Sequence, residues 1–181
     1  MKSICLLAFL LTAALTVSAQ KTNDAIQKQI KSLKADKQIL LSYDQASNAS
    51  KIMAIAGNFA DSEAKKAGIQ AMNFGMAFFY TGQSLAAPPD TINLTFWVLT
   101  KKPAFPSSHA WTMSALNLGD ARYAAKPADN MEYLNFKILR ADLARIASSA
   151  DAKFKLGGKD FTFTPEQIQL LKSVVTISEG R

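Results

Sequence analysis

The stretch TINLTFWVLT, residues 91–100, is the clearest structural signal in the chain. Successive side chains of a β-strand point to opposite faces, so an apolar residue at every second position indicates a strand with one face on a core. Asn93, Thr95 and Trp97 lie on the other face, which is less apolar. The predicted core face consists of Ile92, Leu94, Phe96 and Val98.

The same period of two recurs on both sides of this strand. It is present in KIMAIAGNF (51–59), in IQAMNFGMAFFYTG (69–82), in MEYLNFKIL (131–139) and in WTMSALNLGDARY (111–123), which is expected to turn at Gly119–Asp120. In the first of these, Met53 and Ile55 alternate with alanines, which leave a helix possible. The second places five large side chains on one face: Met72, Phe74, Met76, Phe78 and Tyr80. In MEYLNFKIL the polar Asn135 and Lys137 predict an antiparallel sheet with one face in solvent.

The stretch DAKFKLGGKDFTFT, residues 151–164, predicts a β-hairpin. If Gly157–Gly158 forms a two-residue turn, then Phe154 faces Phe161 and Lys155 faces Asp160. This register pairs two aromatic rings on one face of the hairpin and two opposite charges on the other, and both kinds of pair are favourable.

The region that precedes the strands predicts a short amphipathic helix within residues 23–41, capped by Thr22 or Asn23. Its apolar side chains, Ile26, Ile30 and Leu33, are spaced to line one side of a helix. A polar connector is expected to follow as far as residue 50. Five lysines lie in this region against two aspartates: Lys21, Lys28, Lys31, Lys34 and Lys37 against Asp24 and Asp36. They fit a solvated helix face or attraction to an anionic surface, and we favour the solvated face.

Helical patterns also occupy the C-terminal region. RADLARIASS (140–149) predicts a short helix, and TPEQIQLLKSVV (164–175) predicts a longer one. Thr164 caps the longer helix, Pro165 takes its first position, and Gln167 can complete a capping box. We therefore predict a mainly β fold, an antiparallel β-sandwich or open barrel with an N-terminal amphipathic helix and a C-terminal helix. Residues 51–181 are expected to form a single β-rich domain.

From Ile92 to the C-terminus the chain resembles uncharacterised exported bacterial β-rich proteins. The resemblance rests on the alternating strand at residue 92, the Trp-containing SSHAW, EYLNFKIL, ADLARIASSADAKFKLG and the closing FTFTPEQ. It implies the sandwich fold and brings no known activity with it.

The first 19 residues, MKSICLLAFLLTAALTVSA, predict a secretory signal peptide that is cleaved after Ala19. They combine Lys2, an apolar run and small residues before the cleavage point. The only cysteine, Cys5, lies in the segment that is removed. The mature chain is therefore expected to be extracytoplasmic, either periplasmic or secreted, without disulfides and without a transmembrane segment. Its net charge falls from +7 to +6 with the loss of Lys2.

The sequence predicts no catalytic residue, no metal site and no cofactor. Ser108 and His109 are adjacent, and neighbours in an extended chain point to opposite sides, so they are poorly placed to act as nucleophile and base. One histidine and scattered carboxylates do not form a usual zinc or calcium site. Nucleic acid is not an expected partner, because the protein is exported and its lysines are not interleaved with aromatics.

Four residues are candidates for ligand binding. Trp97 and Phe79 lie on the less apolar faces of their strands, and His109 and Trp111 belong to the loop KKPAFPSSHAWTM (101–113). We interpret that loop mainly as the cover of one end of the sandwich, with Trp111 packed in it. A further possibility is peripheral contact with an anionic surface through Lys28, Lys31 and Lys34.

Three functions remain open. The first is an exported non-enzymatic module that binds a ligand or a cell-envelope partner through a sheet face or an end loop. The second is an extracytoplasmic hydrolase that acts on envelope or extracellular polymer through acids that the sequence does not identify. The third is a structural or assembly protein that docks by its basic N-terminal helix.

Overall fold

The chain forms twelve described strands and four described α-helices. The structure is a computed structural model that describes residues 21–57, 59, 62–66, 68–101, 104–105, 110–113, 116–120, 122–126, 130–149, 152–156 and 159–179. The strands are β1 (Lys21–Thr22), β2 (Ile39–Asp44), β3 (Ala49–Ala56), β4 (Ile69–Thr81), β5 (Ser84–Leu85), β6 (Thr91–Thr100), β7 (Ala110–Met113), β8 (Leu116–Asp120), β9 (Arg122–Lys126), β10 (Met131–Leu139), β11 (Lys153–Leu156) and β12 (Lys159–Thr162). The helices are α1 (Asn23–Ser32), α2 (Ser62–Lys66), α3 (Arg140–Ser148) and α4 (Pro165–Ser178).

Two main sheets organise these elements. The larger has six strands in the order β2-β3-β4-β6-β10-β9, and the smaller has four in the order β12-β11-β7-β8. Strands β1 and β5 form a separate short pair. Every strand pair in the described part is antiparallel. The predicted fold class is confirmed: the chain is mainly β, its sheets are open, and helices lie near the N-terminus and at the C-terminus.

One face of the six-stranded sheet carries the core. The alternation predicted for its three central strands is confirmed, because the apolar side chains of β4, β6 and β10 are buried on a common side. The side chains of this face are Met72, Phe74, Met76, Phe78, Ile92, Leu94, Phe96, Val98, Leu134, Phe136 and Ile138. Helices α3 and α4 contribute Leu143, Ile146, Leu170, Leu171 and Val174 to the same core cluster.

A cluster of phenylalanines joins the smaller sheet to this core face. The Phe154 ring lies 5.1 Å from that of Phe96 and 5.2 Å from that of Phe59. The predicted hairpin register is confirmed, since Phe154 faces Phe161 and Lys155 faces Asp160. The Phe154 and Phe161 rings stack at 5.2 Å, and the Lys155 ammonium lies 3.6 Å from the Asp160 carboxylate. Gly157 and Gly158 lie outside the described residues.

Helix α4 packs against β3 through small side chains. Its predicted capping box is confirmed: the Thr164 hydroxyl accepts a hydrogen bond from the Gln167 amide, and the Gln167 side chain accepts one from the Thr164 amide. The expectation for β3 is half right. The stretch is a strand, but its buried side is that of Ala54 and Ala56, whereas Ile55 is 40% exposed. Helix α4 contacts β3, and alanines on the buried side leave room for a helix to approach the sheet closely.

The N-terminal region differs from the predicted helix and connector. Thr22 caps α1 by accepting a hydrogen bond from the Ala25 amide, as expected, but the helix ends at Ser32. A short 3-10 turn, Asp36–Gln38, then leads into β2, which pairs with β3 along its whole length. The segment predicted as a polar connector is therefore a β-hairpin. The predicted helical stretch ran to residue 41, so it divided β2 and left only its second half, Ser42–Asp44, to the connector.

The stretch at residues 111–123 also departs from its prediction. Strands β7 and β8 pair through Met113 and Leu116, so the chain reverses between them and continues as a strand through Gly119–Asp120. After β8 the chain leaves the smaller sheet, and β9 pairs with β10 in the larger one. The predicted turn at Gly119–Asp120 is wrong, because those two residues belong to β8 and the chain changes sheets after it.

A buried hydrogen-bonded network fastens α1 to the larger sheet. The Asn23 side-chain amide donates to the Ser50 hydroxyl at 2.9 Å, and that hydroxyl donates to the Gly82 carbonyl at 2.6 Å. The Tyr80 hydroxyl donates to the Asn23 side-chain oxygen. Burial raises the pKa of the Tyr80 phenol above its usual value. Ser50 is fully buried, so each member of the network depends on the others for a partner.

Replacing Asn23 with alanine is expected to lower the free energy of unfolding by about 1.5 kcal/mol, because Ser50 and Tyr80 each lose a partner. The measurement is urea denaturation followed by circular dichroism. Gln27→Ala on the same helix serves as control, since α1 keeps its length and Thr22 keeps its cap. Equal midpoints for the two variants would show that the network contributes no stability.

Candidate functional site

The second face of the six-stranded sheet is not covered by either helix α3 or α4 or by the smaller sheet. We call it the open face. It carries side chains from the alternate positions of β2, β3, β4, β6 and β10. Several large apolar side chains are exposed there, namely Phe79 (55%), Leu40 (54%), Leu139 (53%) and Ile55 (40%). The four lie on four different strands, and apolar side chains that are scattered singly over a surface are normal.

A groove of about 580 Å³ crosses the open face, and we call it the open-face groove. Four adjacent strands, β3, β4, β6 and β10, contribute to it. Its polar and aromatic lining consists of Lys51, Phe79, Asn93, Thr95, Asn135 and Lys137. The register brings these residues together, since Lys51 pairs with Phe79, Thr95 with Asn135, and Asn93 with Lys137. None of the described residues that line the groove is acidic.

The floor of the groove presents hydrogen-bonding groups to solvent. The Thr95 hydroxyl donates to the Asn135 side-chain oxygen at 2.8 Å. This bond holds the Asn135 amide in place and leaves its two N–H donors directed away from Thr95. Asn93 lies exposed beside them on β6. The floor can therefore donate to and accept from a ligand that carries hydroxyl or carboxylate groups.

The two ends of the groove are positively charged. At one end the Lys51 ammonium lies 5.7 Å above the centre of the Phe79 ring, in cation–π geometry. At the other end Lys137 is exposed on β10. Three interstrand spacings separate β3 from β10, so the two lysines are on the order of 15 Å apart across the sheet. A ligand would lie between them.

Trp97 lies next to the groove and covers the centre of the sheet. A side chain at Gly75 would place its Cβ 2.3 Å from one carbon of the Trp97 indole and 3.1 Å from the Ala54 carbonyl oxygen. The indole therefore occupies the space above Gly75, which a glycine alone leaves free. Trp97 is half-buried in this position. Its indole lies against the open face, and of the two rings on this face Phe79 is the more exposed.

Two of the four predicted binding residues lie on the open face, but the structure does not bring them together, because Trp97 pairs with Asn73, six residues before Phe79 on β4 and on the order of 20 Å away along the strand. Phe79 and Trp97 share the open face, as their positions on the less apolar sides of β4 and β6 indicated. His109 lies outside the described residues, as does the side chain of Trp111, whose backbone belongs to β7. The sequence reasoning missed the polar residues of the groove. Three of the strands carry polar residues at alternate positions, but the sequence does not show that these strands are neighbours in the sheet.

The lysines of the N-terminal region are exposed and separate from the groove. Lys28 and Lys31 on α1 and Lys34 just after it face solvent, while Ile26 and Ile30 of α1 are buried in the core. The apolar side of α1 is thus occupied by its own domain. The charged side of α1 is the side that remains available to a partner.

The buried carboxylate of Glu132 lies on the core side of β10 and does not face the groove. Both of its oxygens accept from the Ala104 amide at 3.1 Å, which holds the segment after β6 against the sheet. In the part of the chain that the structure describes, no three His, Cys, Asp or Glu side chains are grouped so that they could hold a metal ion. Among those same residues, no helix is long and apolar enough to cross a membrane.

Comparison with protein-family models, with curated proteins and with solved structures gave no match to this chain.

Proposed function

We propose that the protein is an exported, non-enzymatic module that binds a ligand or a cell-envelope partner through the open face of its six-stranded sheet. The observation that carries this proposal is the open-face groove, where an exposed phenylalanine, two lysines and free amide groups converge. Binding sites combine apolar contact area with a few convergent polar groups, and this groove has both. Export is proposed from the signal-like residues 1–19.

The composition of the groove favours binding over hydrolysis. General acid–base cleavage of a polymer needs carboxylates beside the bond that breaks. The described groove lining supplies amides, a hydroxyl and ammonium groups in their place. Docking by the N-terminal helix receives less support, because Ile26 and Ile30 already pack into the core. Among the described residues, Phe79, Leu40 and Leu139 on the open face are each more than half exposed.

The direct test compares two variants of the mature chain in a binding screen against soluble glycans, peptides and lipid vesicles. Asn93→Ala/Asn135→Ala removes two amides from the groove, and Lys28→Gln/Lys31→Gln/Lys34→Gln removes three charges from α1 and the residues just after it. We expect the groove variant to lose about fivefold to 150-fold in affinity for the ligand that is found, since each of two lost hydrogen bonds costs about 0.5–1.5 kcal/mol. The helix variant is expected to bind as the parent does.

The same screen distinguishes the alternatives. If only the helix variant loses binding, the ligand docks on the N-terminal region and not in the groove. Release of soluble fragments from a polymer during incubation would identify a hydrolase. Melting temperatures of both variants are measured first, and we expect them to match the parent because the substituted side chains are exposed.

A further inference from the structure

We infer that the ligand of the open-face groove is an acidic polysaccharide chain that lies across the strands between Lys51 and Lys137. This inference rests on the proposed function and specifies the chemical class of the ligand. It follows from the charge of the groove, from its hydrogen-bonding groups and from its exposed aromatic ring, which are considered in turn.

The charge of the groove indicates an anionic ligand. An ammonium group lies at each end, and none of the described residues that line the groove carries a compensating carboxylate. Two lysines on the order of 15 Å apart are too distant to hold one small anion together. They match an extended polyanion, whose repeated carboxylates can meet both ends at once.

The groups between the lysines match a sugar chain. Asn93, Thr95 and Asn135 present amides and a hydroxyl, which can exchange hydrogen bonds with the hydroxyls of each sugar. Phe79 is 55% exposed at the Lys51 end, where a flat ring can stack on the C–H face of a pyranose. A carbohydrate offers hydroxyls, carboxylates and an apolar ring face together, and the groove has a partner for each.

Two other occupants fit the groove less well. A second copy of the chain, related by two-fold symmetry, would bring the same surface of each protomer together and would place the lysines of both in one interface. A lipid bilayer would remove Asn93 and Asn135 from water without giving them the dense hydroxyls of a sugar chain. The exposed apolar residues also lie on separate strands on either side of the groove, on β2, β3, β4 and β10.

The experiment is isothermal titration calorimetry of the mature chain with sodium alginate, a linear polymer of uronic acids, and with dextran, which is uncharged. Vesicles that contain phosphatidylglycerol are tested by sedimentation. We expect binding to alginate that weakens as ionic strength rises, and no binding to dextran or to vesicles. Lys51→Gln/Lys137→Gln is expected to lower the alginate affinity about tenfold.

The control is Lys28→Gln/Lys31→Gln, which removes the same charge from α1. It is expected to leave the alginate affinity within about twofold, because exposed charges farther than a Debye length from the ligand are screened. An equal loss in both double variants would show attraction by net charge alone and would overturn the inference. Binding to vesicles through Lys51 and Lys137 would overturn it in favour of a lipid surface.

The outcome for dextran separates this inference from the proposed function. Groove-dependent binding of dextran without binding of alginate would leave the open face as a ligand site and would contradict an acidic ligand. If alginate and dextran both fail, and no ligand of the wider screen depends on Asn93 and Asn135, the proposed function fails as well. If the chain dimerises and Phe79→Ala abolishes the dimer, the open face is an interface with a second copy of the chain and the inference is overturned.

Discussion

Replacing Phe154 with alanine is expected to lower the free energy of unfolding by about 4 kcal/mol, the typical cost of removing a buried phenylalanine. Phe154 is 1% exposed and lies within 5.1–5.2 Å, ring centre to ring centre, of four other rings: Phe59, Phe96, Phe161 and Phe163. Its loss leaves a cavity at the contact between the two main sheets, where neighbouring rigid rings cannot collapse to fill the space. The measurement is equilibrium denaturation in guanidinium chloride.

Phe79→Ala is the matched control for this variant. It removes the same side chain from the open face, where 55% of Phe79 is already in water. We expect a change of about 0.5 kcal/mol or less, typical of an exposed site. Similar losses in the two variants would show that the phenylalanine cluster does not hold the sheets together.

Replacing Gly75 with alanine is expected to destabilise the protein by about 2 kcal/mol, in the range for overpacking. In the middle of a strand, alanine normally gains stability relative to glycine, so the expected sign is the reverse of the usual one. The reason is the 2.3 Å approach between the new Cβ and the Trp97 indole, together with the Ala54 carbonyl at 3.1 Å. The indole must swing away from the sheet. Thermal denaturation and tryptophan fluorescence report the two effects.

Two further variants isolate the role of the indole. Gly57→Ala adds the same methyl group where no atom lies within 4 Å, and we expect it to change stability by less than about 0.5 kcal/mol. Gly75→Ala is then combined with Trp97→Leu, which removes the ring. The combined loss is expected to be smaller than the sum of the single losses, since both substitutions act on one contact. Strict additivity would mean that Gly75 has some other role.

Elements with strong local signals could be predicted from the sequence. Strand β6 shows its own alternation, the hairpin of β11 and β12 pairs residues that are close in sequence, and α4 carries its cap in four consecutive residues. In each of these, the residues that determine the structure are neighbours in the chain. No knowledge of the rest of the fold is needed to place them.

Features that depend on tertiary packing could not be predicted. The buried side of β3 carries two alanines and faces the core that α4 joins, and α4 contacts β3 although it follows it by about a hundred residues. The edge strand β2 was divided at residue 41 because its apolar first half directly follows a helical stretch, and its pairing with β3 is not visible in its own sequence. Predicting the groove would also have required the order of the strands in the sheet. Asn93 and Lys137 are neighbours because β6 and β10 pair, yet three strands separate them in sequence. Phe79 and Trp97 could be selected without that order, since each is a large ring on the less apolar side of its own strand.

The two-sheet arrangement also determines when the phenylalanine cluster can form during folding. Strands β2, β3, β4 and β6 pair with near neighbours in sequence, so the loops they close are short and these contacts form readily. The contact of β7 with β11 closes a much longer loop, which contains β8, β9, β10 and α3. The part of the larger sheet from β2 to β6 can therefore assemble before Phe96 contacts Phe154. Such an intermediate exposes its aromatic core face to other chains, and its lifetime sets how readily the protein aggregates before folding is complete.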